Sequence, residues 1–488
     1  MIDEDRTERA PLGYVPPEVA SFLSVLDGRS LVVKGPAGTG KTTLVLQLLE
    51  TLGRQDSSLY LPTRVPESAL PEQFSGLKDV IRRTTPGEGM KLRPSRSAPR
   101  TKLKELEGLV EVADVDLEDE SQPFEPPRIL EPLEMVWDFV DEHMKALVVV
   151  DSIDALHEQL GIANSRLMNT FQGDLVDSGS TNMVYVLEKS GETALDYLGD
   201  GVVSLASTEH RGRRLRVLTI EKLRGQEIRL HKYLYTLSGG HFTVFGTTKN
   251  SKPAKSKEWL HQPDLGKDIV STGMCSLDGV VGGFSRGTVS VFKISDEVPT
   301  EYVDALRLSM ICNFASGGRG VAHVAPGKGT TEQLRGLVGP HMSPNAFEKH
   351  IHVFEAAAPE SRDLAKNATF MEGKLKWADI EYHLSQSRRP FLALVAFDTL
   401  EAAFGSQSLD AVSHILSSVR RSGDIFVGLI SPESSQAAKL VSLAKIVLTM
   451  EAVDGCVILY GDKPHTGLFH LSFDWSAGIP NARLQPIV

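Results

Sequence analysis

Residues 30–49, SLVVKGPAGTGKTTLVLQLL, constrain the fold of this chain more than any other stretch. Ser30 to Lys34 is a short run of apolar, partly β-branched residues, the pattern of a strand buried on both faces of a parallel sheet. Gly35, Pro36, Ala37, Gly38, Thr39, Gly40, Lys41 and Thr42 then fill every fixed position of GxxxxGK[ST], and Leu44, Val45, Leu48 and Leu49 recur at helical spacing. Strand, glycine loop and helix in this order specify an α/β sheet with a phosphate-binding turn at its strand ends. Gly38 and Gly40 let the backbone turn its N–H groups inward, and the helix start adds a partial positive charge. Lys41 is placed to reach the β- and γ-phosphates, the Thr42 hydroxyl to ligate Mg²⁺, and Thr43 to close the cradle, so ATP with Mg²⁺ is the expected cofactor pair.

Such a loop needs a second carboxylate for its metal. Asp151 ends the apolar run Ala146 to Val150 and is the candidate. Parallel strand ends are where these sheets bind ligands. The other reading of Asp151 is a helix N-cap.

The chain has 488 residues, too many for one core to grow comfortably, so two domains are expected. A formal net charge of −11 argues against a protein whose main task is to coat nucleic acid. Apolar runs stay well short of the roughly 20 residues of a membrane helix, and the charged N-terminus lacks an apolar signal core. Cys275, Cys312 and Cys456 offer neither a disulfide framework nor zinc spacing. A cytoplasmic setting is expected.

The order of these pieces resembles the KaiC/RadA-like group of RecA-type ATPases. Gly199 to Leu205, Leu215 to Gly225 and Tyr233 to Val244 are similar to that group's later strands and closing hairpin. The resemblance implies that Lys222 and Arg224 reach the γ-phosphate of a neighbouring subunit, and hence a homo-oligomeric ring or filament. A solvated strand edge is the other reading of this pair. A narrower resemblance is to the archaeal gas-vesicle regulatory protein D (GvpD-type) family, carried by Pro16 to Leu23, the glycine loop, Leu59 to Val65, and Gln73-Phe74. Where the KaiC-like group places glutamates that orient the attacking water, this chain has Thr63 and Arg64. A missing base typically costs about 10²–10⁴-fold in rate. Glu67 or Asp154 could substitute; otherwise ATP binding with slow or absent hydrolysis is expected.

The second half echoes the first. Residues 271–287 resemble a KaiC-like domain entrance, and Thr288 to Ile294 stands in the place of Ser30 to Gly35. SDEVPTEYVDAL then replaces the glycine loop, with Asp296 and Glu297 where a phosphate would sit. Two acids there repel a polyphosphate. Asp398 mirrors Asp151, as a doubtful metal ligand or a cap, and Lys463 mirrors Lys222, with His465 nearby, as a second nucleotide contact or a surface turn.

The expected organisation is therefore a tail (1–13), an ATP-binding RecA/KaiC-like domain (14–245) with a charged insertion (82–128), a lysine-bearing linker (246–262) and a degenerate RecA/KaiC-like domain (263–488). Both domains are doubly wound, with mainly parallel sheets. Arg211, Arg213, Arg214 and Arg216 could serve an anionic surface or solvate a hairpin. Three functions remain open: an ATP-dependent regulatory switch acting through assembly or a protein partner, a DNA-dependent ATPase, and a scaffold stabilised by bound ATP.

Overall fold

The computed structural model describes residues 14–25, 27–52, 57–63, 77, 99–106, 131–143, 145–177, 181–191, 193–246, 255–327, 329–354, 377–405, 408–434 and 437–488. The N-terminal tail, Arg64, Glu67, Gln73, Phe74, most of the charged insertion and residues 247–254 lie outside them. The chain divides into two compact units, Met1–Gly246 with Ile487–Val488, and Thr247–Pro486. Both are α/β, with large, mostly parallel mixed sheets. Among the described residues no helix is long and apolar enough to cross a membrane.

The first unit contains β1 (Ser30–Lys34), β2 (Ser58–Pro62), β3 (Leu147–Asp151), β4 (Asn182–Leu187), β5 (Gly201–His210), β6 (Arg213–Leu223), β7 (Lys232–Thr236) and β8 (Thr243–Phe245). Its helices are α1 (Pro17–Ser24), α2 (Lys41–Leu52), α3 (Glu131–Glu142), α4 (Ile153–Leu160) and α5 (Asn164–Phe171). The strand order is β2-β3-β4-β1-β5-β6-β7-β8. The first four pairings are parallel and the last three antiparallel.

Alternation along β1 sends Leu31 and Val33 to a core with Leu44, Leu48, Tyr60 and Val149. Val32 faces the opposite core, with Val148, Val150, Trp137 and Phe171. Burial on both faces is why the strand reads as an unbroken apolar run. Residues 101–106 of the expected insertion are helical and bury Leu103 and Leu106 in that second core. Arg100 pairs with Asp138 and Asp141, and Asp174 accepts from the amides of Lys102 and Leu103. This part of the charged block is therefore built into the unit rather than an excursion from it: its leucines needed a core and its charges found partners.

The second unit has a short ribbon of β9 (Ile269–Val270) and β10 (Phe284–Ser285). Its main sheet comprises β11 (Thr288–Ile294), β12 (Arg319–Val324), β13 (Ile351–Phe354), β14 (Arg388–Ala396), β15 (Ile425–Ile430), β16 (Ile446–Val453), β17 (Cys456–Lys463), β18 (Phe469–Asp474) and β19 (Asn481–Pro486). The order is β13-β12-β14-β15-β11-β16-β17-β18-β19. Like β1 between β4 and β5, β11 runs parallel to both its neighbours.

Two sequence expectations for this region are corrected. Residues 255–262 are not free linker. Trp259 is buried, and its indole N–H and the Gln262 amide both donate to Asn313 Oδ1, at 3.3 and 2.7 Å. The surrounding lysines masked one apolar anchor. Asp398 does not end a strand, because β14 stops at Ala396; the residue sits in the first turn of the helix Phe397–Phe404 and accepts from the Ser431 amide at 3.2 Å. Ala396 holds the N-cap position, so Asp398 is not the cap either. Lys463 ends β17 at the exposed turn closed by the Asp462–His465 bridge, as one of its two readings expects, and its ammonium donates to the Val441 carbonyl.

One buried amide ties the entry of the first sheet. Asn182 Nδ2 donates to the carbonyls of Leu23 and Val25, and its Oδ1 accepts from the Arg29 amide. Asn182→Ala leaves these buried groups unpaired and is expected to lower the stability of the first unit by about 2–3 kcal/mol, measured as a shifted urea midpoint.

Candidate functional site

The glycine loop lies at the C-terminal end of β1, and its carbonyls are tied to the scaffold. Lys41 Nζ donates to Gly35 O at 2.8 Å and Pro36 O at 2.9 Å. Thr39 Oγ1 also donates to Pro36 O. Arg216 Nη1, from β6, donates to Gly38 O at 3.0 Å, and the Tyr235 hydroxyl, from β7, donates to Thr39 O at 2.6 Å. Both of these side chains are buried. Burial pushes the Tyr235 hydroxyl up to about 12, which keeps it a donor at ordinary pH. With the carbonyls engaged, the amide edge is the side left to meet an anion.

Two glycines are required by geometry. Gly38 and Gly40 have φ of 75° and 90°, in the left-handed region. A Cβ on Gly40 would lie 2.7 Å from Leu237 Cδ2, so the leucine would have to shift to admit one.

At the foot of the loop the Thr42 hydroxyl donates to Asp151 Oδ2 at 2.7 Å, and the Tyr60 hydroxyl donates to the same oxygen at 3.0 Å. Burial is the largest influence on Asp151 and raises its carboxyl above the ordinary range, against the Thr42 and Tyr60 bonds and the Lys41 charge. The nearby Glu188 charge adds to the rise. A buried acid under this strain gains from a divalent cation beside it, and a hydroxyl and a carboxylate oxygen form a hard-oxygen pair of the kind Mg²⁺ takes. The residues present therefore fit Mg²⁺ with a triphosphate. Asp151 is not a helix cap, since Ser152 holds that position for α4.

Among the described residues, the strand end where the KaiC-like group carries a water-orienting acid has none, and Asp154 is engaged elsewhere. Thr63 braces the strand end instead: its amide donates to Asp151 O, and its hydroxyl accepts from the Ser152 amide at 2.6 Å. Asp154 is held by Asn164 Nδ2 and by the Glu188 amide, both at 2.7 Å. Glu67 and Arg64 lie outside the described residues.

Lys222 and Arg224 are not part of the glycine loop. Lys222 is level with Val202, which pairs with Val32, two residues before the end of β1 at Lys34. Lys222 Nζ donates to Asp196 O, and Arg224 pairs with Asp200 one residue past the strand. Burial, and then the Arg224 charge, lower the Lys222 ammonium. The arginines upstream divide: Arg213 and Arg216 are buried, and Arg214 is exposed. Arg216 belongs to the loop, not to a surface patch. Nothing in the sequence singles it out from its neighbours: alternation along β6 puts Arg214 and Arg216 on the same side, and only packing separates them.

Residues 19–221 match the family model described as "GvpD gas vesicle protein, P-loop domain". Protein GvpD2 of Halobacterium salinarum is 28% identical over 98% of this chain and 97% of its own length. Protein GvpD1 of the same organism is 23% identical over 99% and 98%. Residues 19–221 form a P-loop domain of the GvpD type, and the chain is similar to both relatives along nearly its whole length.

In this GvpD-type domain Lys34, the residue before the loop, is 1% exposed and pairs with Asp196 at 2.7 Å and Glu221 at 2.8 Å. Burial lowers the ammonium, but the hydrogen bonds and charges of the two acids outweigh it and leave Lys34 raised. Burial likewise raises Asp196, yet the bonds from Lys34 and Thr193 bring it below the ordinary carboxylate value. A lowered carboxyl gives stability that is present above its unfolded value, about 4, and lost as pH falls through the lowered one. Thermal unfolding should therefore show a loss on acidification that is shallower in Asp196→Asn.

For the loop itself, Lys41→Ala should weaken nucleotide binding about 10–100-fold, the equivalent of the roughly 1.5–3 kcal/mol of one charge-assisted hydrogen bond. Gly40→Ala should abolish binding while circular dichroism stays native.

Proposed function

We propose that this protein is an ATP- and Mg²⁺-binding regulatory P-loop protein whose nucleotide state controls assembly or a protein partner, with slow or absent hydrolysis. The observation that carries this reading is the pairing of Thr42 with Asp151 under a scaffold-tied glycine loop, beside a strand end braced by Thr63 rather than carrying an acid. Binding parts are assembled there; among the described residues at that strand end, a part to activate water is not. The relation to gas vesicle proteins makes regulation of gas-vesicle formation the setting in which to look for the partner.

In the Mechanism this implies, Lys41 moves from the Gly35 and Pro36 carbonyls to the phosphates. Thr42 and Asp151 would hold the metal, whose chemistry when bound is to neutralise phosphate charge. Arg216 and Tyr235 keep the loop carbonyls turned away. Glu188 is exposed, and its charge is close enough to add to the rise of Asp151.

Two finer readings belong to the same proposal. The second unit is read as a RecA/KaiC-like copy that has lost its phosphate loop, supported by the matching strand succession around β11 and by Asp296 and Glu297 in place of the glycines. Lys222 and Arg224 are read as contacts to a neighbouring subunit's nucleotide, supported by the likeness of residues 215–225 to a strand of the KaiC-like group and by the exposure of Arg224 just past β6. That reading makes the protein a homo-oligomer.

The test is ATP turnover and oligomer size, measured on purified protein with and without DNA. ATP at a hundred times its Kd should add about 2.7 kcal/mol of stability, with little phosphate release and with a change in assembly that Arg224→Ala suppresses. Turnover stimulated by DNA would favour a DNA-dependent ATPase, and stabilisation without any change in assembly would favour a scaffold.

A further inference from the structure

The second unit holds a cavity of about 610 Å³ at the C-terminal ends of its parallel strands, lined by residues that follow β11, β12 and β14. That is within the size range of small-molecule sites, and it lies where open α/β sheets take ligands. Its chemistry differs from that of the glycine loop. Arg307, from the helix Thr300–Ser316, lines one wall with its side chain 10% exposed. Nη1 donates to Asp304 Oδ1 at 2.8 Å, and Nη2 lies 2.9 Å from His323 Nε2. His323 Nδ1 lies 2.9 Å from Leu394 O, which assigns the ring proton to Nδ1 and leaves Nε2 to accept from the guanidinium. Burial, then the Arg307 charge, push His323 down to about 3, so it stays neutral and Arg307 keeps its charge nearly alone.

The Arg307 Nε–H is buried and has no acceptor among the described residues. An unpaired donor on a buried cation calls for an anionic or carbonyl oxygen. The start of the same helix, at Thr300, also faces the cavity and favours negative charge. Asp296 and Asp398 line the cavity as well, and the Asp296 charge is close enough to add to the rise that burial gives the Asp398 carboxyl. With Asp304 they outnumber Arg307, which disfavours a polyphosphate and favours a ligand carrying one cation. Val298, Val303, Leu334 and Leu337 supply an apolar wall.

We infer that this cavity binds a small zwitterion with an apolar body, of the amino-acid or short-peptide class, its carboxylate on Arg307 and its ammonium toward Asp296 and Asp398. The site is separate from the glycine loop and gives the protein a second input besides nucleotide.

Calorimetry on the full chain with phenylalanine, leucine and leucyl-leucine tests this. At least one should bind saturably at one site per chain. Its N-acetylated and its amidated forms, each lacking one charge, should both bind at least tenfold more weakly. Asp398→Asn should weaken the zwitterion at least tenfold and leave ATP binding unchanged, so failure here is distinguishable from failure at the glycine loop. Arg307→Lys, which keeps the charge and removes the Nε donor, should also weaken it. No heat with any probe, equal binding of the acetylated or amidated forms, or indifference to Asp398→Asn would overturn the inference.

Discussion

A glycine loop offers its amides to an anion only while something else holds its carbonyls. Here Lys41, Thr39, Arg216 and Tyr235 do so, two from within the loop and two from the antiparallel strands beside it. The parallel core of the first unit places the loop, but β6 and β7 keep its shape. That division explains why the sheet continues past β5: without those strands the Gly38 and Thr39 carbonyls would lack their buried partners. Lys34, fixed by two acids just before the loop, sets where the turn begins.

The two units follow the same arrangement of strands around a central one and then diverge at its end. After β1 the chain turns on glycines into α2, whereas after β11 it passes through acids into a longer helix that carries Arg307. The second unit also has a strand-end space, but one lined by acids, with its cation two turns into the helix that follows. A strand-end cavity therefore does not require a phosphate loop, because the cavity comes from the sheet and the specificity from the residues that follow each strand.

Much of the frame was legible. The β1 run, the glycine spacing, the α2 periodicity and the strand ending at Asp151 are all local patterns, each settled by a few adjacent residues. What escaped was of two kinds. Arg216 and Tyr235 act on Gly38 and Thr39 from 178 and 196 residues away, a pairing that no local pattern announces. Asp398 and residues 255–262 were misplaced because composition weighs a segment as a whole, while one buried group, Trp259 for instance, decides where it packs.

The sequence alone determined that this chain makes a phosphate-binding turn on a parallel α/β sheet, since alternation, glycine placement and helical spacing act between near neighbours in the chain. Tertiary structure decided which arginine of four serves that turn, that Asp151 meets Thr42 and Tyr60 rather than capping a helix, and that Arg307 and two aspartates share one cavity. Those outcomes depend on which strand ends are brought together, and strand order is a property of the closed sheet rather than of any segment of it.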